Sequence, residues 1–146
     1  MANEEIIKQL EETLRRANAI LFKRGRSVLV DMDISELQFN ALLCIREYGP
    51  LTMGDLCKNL YVACSTATDL ADRMEFAGLV ERVRAEKDRR VVALHLLPRG
   101  NEALDAVIAE RQKFISEIIK DYTDAEYEEL SRSSKLLAEK MELVEV

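Results

Sequence analysis

The sequence predicts a mainly α-helical domain with one small β-hairpin, and three observations lead there. Apolar residues recur at spacings of three and four over most of the chain. Only five glycines and two prolines punctuate 146 residues, so the elements should be long. A single β-branched, alternating stretch surrounds the charged run "AEKDRRVVALHL" (85–96). The length fits one domain, 1–146, able to bury a core. With 48% hydrophobic and 33% charged residues, a disordered chain is excluded.

The elements follow in order. Ile6, Leu10, Leu14, Ala17 and Leu21 mark one face of a long first helix over about 4–30. "SELQ" (35–38) is a capping box that opens a second helix carrying Leu37, Ala41, Leu42 and Ile45, closed by Gly49-Pro50. Thr52, with Asp55 three residues on, caps a short third helix over roughly 52–60. After a turn near Tyr61-Val62, a fourth helix runs to about Ala77 through Ala67, Leu70, Ala71 and Met74. Gly78 stands where a left-handed cap is wanted. Val80–Arg84 and Arg90–Leu96 are the only credible strands, and Ala85–Arg89 joins them as a charged tip. Pro98 fits the first turn of a fifth helix lined by Leu104, Ile108, Ile115, Ile118 and Tyr122. "TDAE" (123–126) caps a sixth helix bearing Leu130, Leu137, Met141 and Val144.

The net charge of −6 is unevenly spread. Five basic and no acidic residues fall in 15–27, and six basic against two acidic in 82–99. Three basic against eight acidic fall in 121–146. Two basic patches on an acidic chain point to an anionic partner at those patches. No apolar run approaches the length of a membrane span and no signal sequence is seen, so a soluble, cytoplasmic protein without membrane contact is expected. Cys44, Cys57 and Cys64 fit reduced, mostly buried thiols rather than a disulfide framework. With His95 the single histidine and no Cys-x-x-Cys pair, neither a metal site nor a cofactor is expected. No glycine-rich phosphate loop and no nucleophile–base spacing is present, so an enzyme is not expected.

A short helix, a tight turn, a second helix and a charged hairpin together make a winged helix-turn-helix. In that device the second helix enters the major groove. Ser65, Thr66, Thr68, Asp69, Asp72 and Arg73 are its outward candidates. The hydroxyls and the free N–H groups at the helix start suit phosphates, and Arg73 suits a phosphate or a guanine edge. Lys87, Asp88, Arg89 and Arg90 form the tip of the wing, and an arginine inserted into a narrow minor groove reads its width and negative potential. Arg84, Arg24 and Arg26 are candidate phosphate contacts, although the patch of the first helix serves equally well as a solvated face. Cys64, near the start of the recognition helix where thiolate is favoured, is a candidate redox residue, against the plainer reading of packing filler. The long first helix carries more apolar face than one small domain covers, which favours a homodimer.

From Leu37-Gln38-Phe39 through "GPLTMGDL", "STATDLADRMEFAGLVER" and "DRR" to Arg99-Gly100, about 64 residues, the chain resembles the MarR (multiple antibiotic resistance regulator) family of bacterial winged helix-turn-helix transcription factors. The resemblance implies an intertwined dimer in which 1–34 and 99–146 supply the dimerisation helices and 35–98 the DNA-binding lobe. It implies that Arg90 enters the minor groove and that Asp88 braces the wing through an ion pair. A dimer of this kind is expected to read a pseudo-palindromic operator on double-stranded DNA. A repressor is the preferred reading, although the sequence does not separate repressor from activator. The resemblance also implies a small aromatic or lipophilic effector able to release it. Asp69, Tyr61 and Leu97 depart from the family's usual residues. A winged-helix module that binds protein instead of DNA, motivated by the acidic recognition helix, and a thiol-based redox regulator are the competing readings.

Overall fold

The structure is a computed structural model that describes residues 3–144; Met1, Ala2, Glu145 and Val146, the ends of the expected domain, lie outside the described residues. Among the described residues six helices and three strands follow in the order α1 (Glu4–Asp31), α2 (Glu36–Tyr48), β1 (Leu51–Thr52), α3 (Met53–Leu60), α4 (Cys64–Phe76), β2 (Val80–Arg84), β3 (Val92–Leu96), α5 (Pro98–Ile118) and α6 (Asp124–Val144). The chain forms two compact units, Met1–Arg111 and Gln112–Val146.

The local signals act where the sequence places them. Ser35 Oγ accepts from the Gln38 N–H at 3.1 Å while Gln38 Oε1 accepts from the Ser35 N–H at 2.9 Å, which closes the capping box of α2. Thr52 Oγ1 accepts from the Asp55 N–H at the start of α3. Past the end of α4, Gly78 adopts φ 74°, and the Leu79 N–H turns back to the Met74 carbonyl at 2.9 Å. Thr123 and Glu126 exchange bonds ahead of α6. Asn3 caps α1 by accepting from the Glu5 N–H, a start signal that the apolar pattern alone does not reveal.

Two expectations about the sheet need correction. It has three antiparallel strands in the order β1-β3-β2, not two. Leu51 and Thr52 pair with Leu94 and Ala93, which covers the second edge of β3. A two-residue strand beside Gly49-Pro50 is too short to show any alternation. In addition, β3 begins at Val92 rather than Arg90. Arg90 and Val91 belong to the hairpin tip, where the Val91 N–H bonds the Asp88 carbonyl and the Ala85 N–H bonds that of Val91.

The core lies within the first unit. Leu42, Leu56, Met74, Leu79, Leu94 and Leu104 are fully buried, and Ala41, Ala67, Ala71 and Ala103 let the helices approach closely. Gly100, on the first turn of α5, shows how tight this packing is. A Cβ there would lie 2.5 Å from the Leu79 carbonyl oxygen and 2.7 Å from Leu96 Cδ1. That carbonyl already accepts from the Leu97 N–H at 3.0 Å, so the backbone has little freedom to give way. Gly100→Ala is therefore expected to destabilise the fold by about 1–3 kcal/mol despite alanine's better helix propensity, read as a lower urea midpoint.

In the second unit α6 buries no residue. Leu130, Leu137 and Met141 are all exposed along it, and the Tyr122 and Tyr127 rings meet at 5.9 Å where the chain enters it. In the first unit Ile6, Leu10 and Leu14 of α1 are exposed in the same way.

Candidate nucleic-acid interface

The two helices of the helix-turn-helix are α3 and α4. Their connection turns on Tyr61, which takes the left-handed conformation at φ 55° and returns its N–H to Cys57 and Lys58. Ala63 precedes α4 and provides no side-chain cap, so the first N–H groups of the helix have no side-chain acceptor. Ser65 and Thr66 are exposed on that first turn. The start of α4 thus combines two hydroxyls with uncapped amide donors, a combination suited to a phosphate. Thr68 is exposed as well, but its hydroxyl donates to the Cys64 carbonyl at 2.9 Å and offers only its acceptor side outward.

Three carboxylates on α4 would repel DNA if unpaired, and all three have cationic partners. Asp69 pairs with Arg73 one turn on, at 3.2 Å, with both side chains exposed. Asp72 and Glu75 converge on Arg82 of β2, at 2.6 and 3.0 Å, and Glu75 also accepts from the Arg82 backbone N–H at 3.0 Å. Hydrogen bonding to Asp72, reinforced by Glu75, holds the Arg82 guanidinium above its ordinary pKa. Arg82 therefore ties the recognition helix to the base of the wing. Reading the sequence missed it, because its partners lie ten and seven residues back on a different element. Arg99 secures the far end of α4 by donating to the Ala77 carbonyl at 3.0 Å.

The wing is braced from within. Asp88 Oδ1 accepts from both the Arg90 N–H at 3.0 Å and Arg90 Nε at 3.2 Å. Arg84 donates to the Arg89 carbonyl at 3.1 Å, so this candidate phosphate contact also stitches the hairpin. Lys87 and Arg89 are exposed, and the Arg90 side chain is 92% exposed. Asp88 and Arg90 thus form an ion pair at the tip of the wing.

The basic patch of α1 is less concentrated than its composition suggests. Arg15 is paired with Glu11 at 2.9 Å. Arg24 and Arg26, both exposed, stand two residues apart and hence roughly 200° apart around the helix, so they do not share a face.

The cysteines depart from the expectation of three separate reduced thiols. Cys57 of α3 and Cys64 of α4 are joined as a disulfide, their Cα atoms 5.2 Å apart across the turn. Cys57 is buried as expected, whereas Cys64 is exposed on the first turn of α4 instead of filling the space between the helices. A spacing of seven residues matches no pairing motif, and only the turn brings the two sulfurs together. Cys44 remains a free thiol, its pKa pushed up by burial and by nearby Glu47.

Beside α4 runs an open groove of about 750 Å³, lined by Ser35 and Gln38 of α2 and by Thr66, Asp69, Arg73 and Phe76. Among the described residues no group of three His, Cys, Asp or Glu side chains could hold a metal, and no helix is long and apolar enough to cross a membrane. His95 lies half-buried on β3, opposite Glu81.

Comparison with known proteins agrees with this geometry. The MarR family model matches residues 34–92. YsmB of Bacillus subtilis, an uncharacterized HTH-type transcriptional regulator, is 39% identical over 137 residues, covering 94% of each chain. MdtR of the same organism, an HTH-type transcriptional repressor, is 27% identical over 109 residues, 75% of this chain and 70% of its own. The structure of a MarR family protein from Bacillus stearothermophilus superposes with a TM-score of 0.87 at 40% identity, covering 97% of this chain and 99% of that one.

Proposed function

The chain belongs to the MarR family of DNA-binding transcription regulators, and on that premise we propose that it works in the cytoplasm as a homodimeric repressor of a pseudo-palindromic operator. The observation that carries this reading is the pairing of charges. Every carboxylate of α4 and the acidic brace of the wing have cationic partners, while Arg90, Lys87 and Arg89 point into solvent. An acidic chain thereby offers a basic tip and an uncapped helix start to a duplex. In this reading Ser65 and Thr66 hold phosphates, and Thr68 accepts at its outward side. Arg73, steadied by Asp69, reaches base edges, and Arg90 enters the minor groove between phosphate contacts from Lys87 and Arg89. The repressor assignment is favoured by the likeness to MdtR.

The homodimer is favoured by α1, whose 28 residues span about 42 Å with Ile6, Leu10 and Leu14 exposed. A second copy is the occupant that suits this stripe and that of α6. The lobe 35–98 then binds DNA, and 1–34 with 99–146 hold the two copies together. Leu14→Asp is expected to raise the dimer dissociation constant at least tenfold by sedimentation equilibrium, since a charge would replace an apolar contact. The parent chain sedimenting as a monomer at every concentration would sink the dimer. The groove beside α4 offers Phe76 and Arg73 to a small aromatic acid, the effector class that the family suggests. The proposed role is binding, with no catalysed conversion of a substrate.

Selection of duplexes from a random pool tests the function. The expected result is a pseudo-palindrome with half-sites about 34 Å apart, bound with an affinity that falls steeply as salt rises. No enriched sequence, at low salt as well, would instead favour the protein-binding module.

A further inference from the structure

The bond between Cys57 and Cys64 joins the two helices of the DNA-binding device, and three features set it apart from a structural staple. It lies on the face proposed to meet DNA. One of the two residues is exposed and the other buried. It also belongs to a chain whose proposed site of action, the compartment that holds DNA, keeps thiols reduced, where disulfides are usually transient. We propose that Cys57 and Cys64 form a reversible redox pair, oxidised by a hydroperoxide, that clamps the start of the recognition helix and tunes its hold on DNA. The regulatory half of this proposal rests on the DNA-binding reading above.

The two cysteines have different parts. Cys64 is the first residue of α4, exposed, where uncapped N–H groups stabilise its thiolate. It attacks the terminal oxygen of the hydroperoxide. An S–O bond forms, the O–O bond breaks, and the remaining fragment leaves as an alcohol, or as water from hydrogen peroxide, after taking a proton from solvent. Cys64 is then a sulfenic acid. Cys57 lies behind it, buried, with its sulfur 3.2 Å from the Gly54 carbonyl, the acceptor for the thiol proton in the reduced form. Its sulfur attacks that of Cys64, the S–S bond forms, and the hydroxyl leaves as water with the Cys57 proton. The peroxide gains two electrons and the two thiols lose two. A dithiol reductant reverses the reaction by exchange. The Cα separation of 5.2 Å falls inside the range disulfides use. Cys44, whose thiol burial pushes up, takes no part.

The consequence for DNA follows from geometry. In the reduced form no bond between the sulfurs holds the helix turn where Ser65 and Thr66 would receive a phosphate. Oxidation fixes that turn against α3. The oxidised form is therefore expected to bind the selected operator several-fold more tightly than the reduced form.

The experiment treats the full-length protein with hydrogen peroxide, then measures intact mass, linked peptides and operator affinity by fluorescence polarisation, before and after dithiothreitol. Expected are a loss of two hydrogens, a single link between the peptides of Cys57 and Cys64, an alkylatable Cys44, and tighter binding that dithiothreitol reverses. Cys64→Ser should form no link and should show one affinity under both conditions. Cys57→Ala should stop at a sulfenic acid trapped by dimedone. Absence of the 57–64 link in the parent chain, or equal affinity of its linked and unlinked forms, overturns the proposal. If neither form binds any duplex, the DNA-binding reading fails and takes the regulatory step with it, while mass spectrometry still decides whether the pair oxidises.

Discussion

An Arg90→Ala variant is expected to lose tenfold or more in operator affinity, about 1–3 kcal/mol on the scale of a specific arginine contact, while unfolding at the same urea concentration as the parent chain. The separation of the two effects follows from where the side chain sits. At 92% exposure it buries almost nothing, and its ion pair with Asp88 is a surface pair of the kind that contributes little to stability. Arg90→Lys should recover part of the affinity through charge alone, because lysine lacks the flat fork that follows a narrow groove. Asp88→Ala should be milder. It removes the acceptor for the Arg90 backbone N–H and side chain but leaves the cation in place, so the tip loosens without losing its charge. Fluorescence polarisation and urea denaturation on the same preparations check all three, and unchanged affinity in Arg90→Ala would remove the wing from the interface.

The second large effect is expected at Arg82. Its alanine variant should lose about 1–2 kcal/mol of stability, the value of charged hydrogen bonds discounted for the solvent around Asp72. It should also bind operator at least tenfold more weakly. Two changes combine in that loss. Asp72 and Glu75 are released as unpaired carboxylates on the helix that approaches phosphate, and α4 loses its tie to β2. A double variant that also carries Asp72→Asn and Glu75→Gln should regain affinity more than stability, because it removes the repulsion without restoring the tie. Equal recovery of both would mean that Arg82 acts only through folding.

The scaffold was legible because its signals are local. Ser35 with Gln38, Thr52 with Asp55 and Thr123 with Glu126 are contacts within four residues, which sequence spacing states directly. Gly78 and the helical stripes are equally local. The pairing of Asp69 with Arg73 is one helical turn long and could be named in advance as the condition for tolerating an aspartate there. What stayed hidden depends on where the chain returns. β1 is two residues long and acquires meaning only from Leu94 and Ala93, more than forty positions on. Arg82 looks like one more surface charge until β2 folds back beside α4. Cys57 and Cys64 carry no pairing motif, and the left-handed turn at Tyr61 is what joins them. Arg84 reads as a phosphate ligand by charge, and its second part, the bond to the Arg89 carbonyl across the hairpin, shows only once the tip is folded.

Chemical footprinting of the selected operator tests most directly whether α4 and the wing read DNA together. The expected pattern is protection of guanine N7 in one stretch of major groove per half-site, with protection from hydroxyl radicals in the minor groove beside it. Arg90→Ala should erase the minor-groove protection and retain that of guanine. Protection that is uniform along the duplex, or a minor groove equally shielded in the variant, would contradict the account.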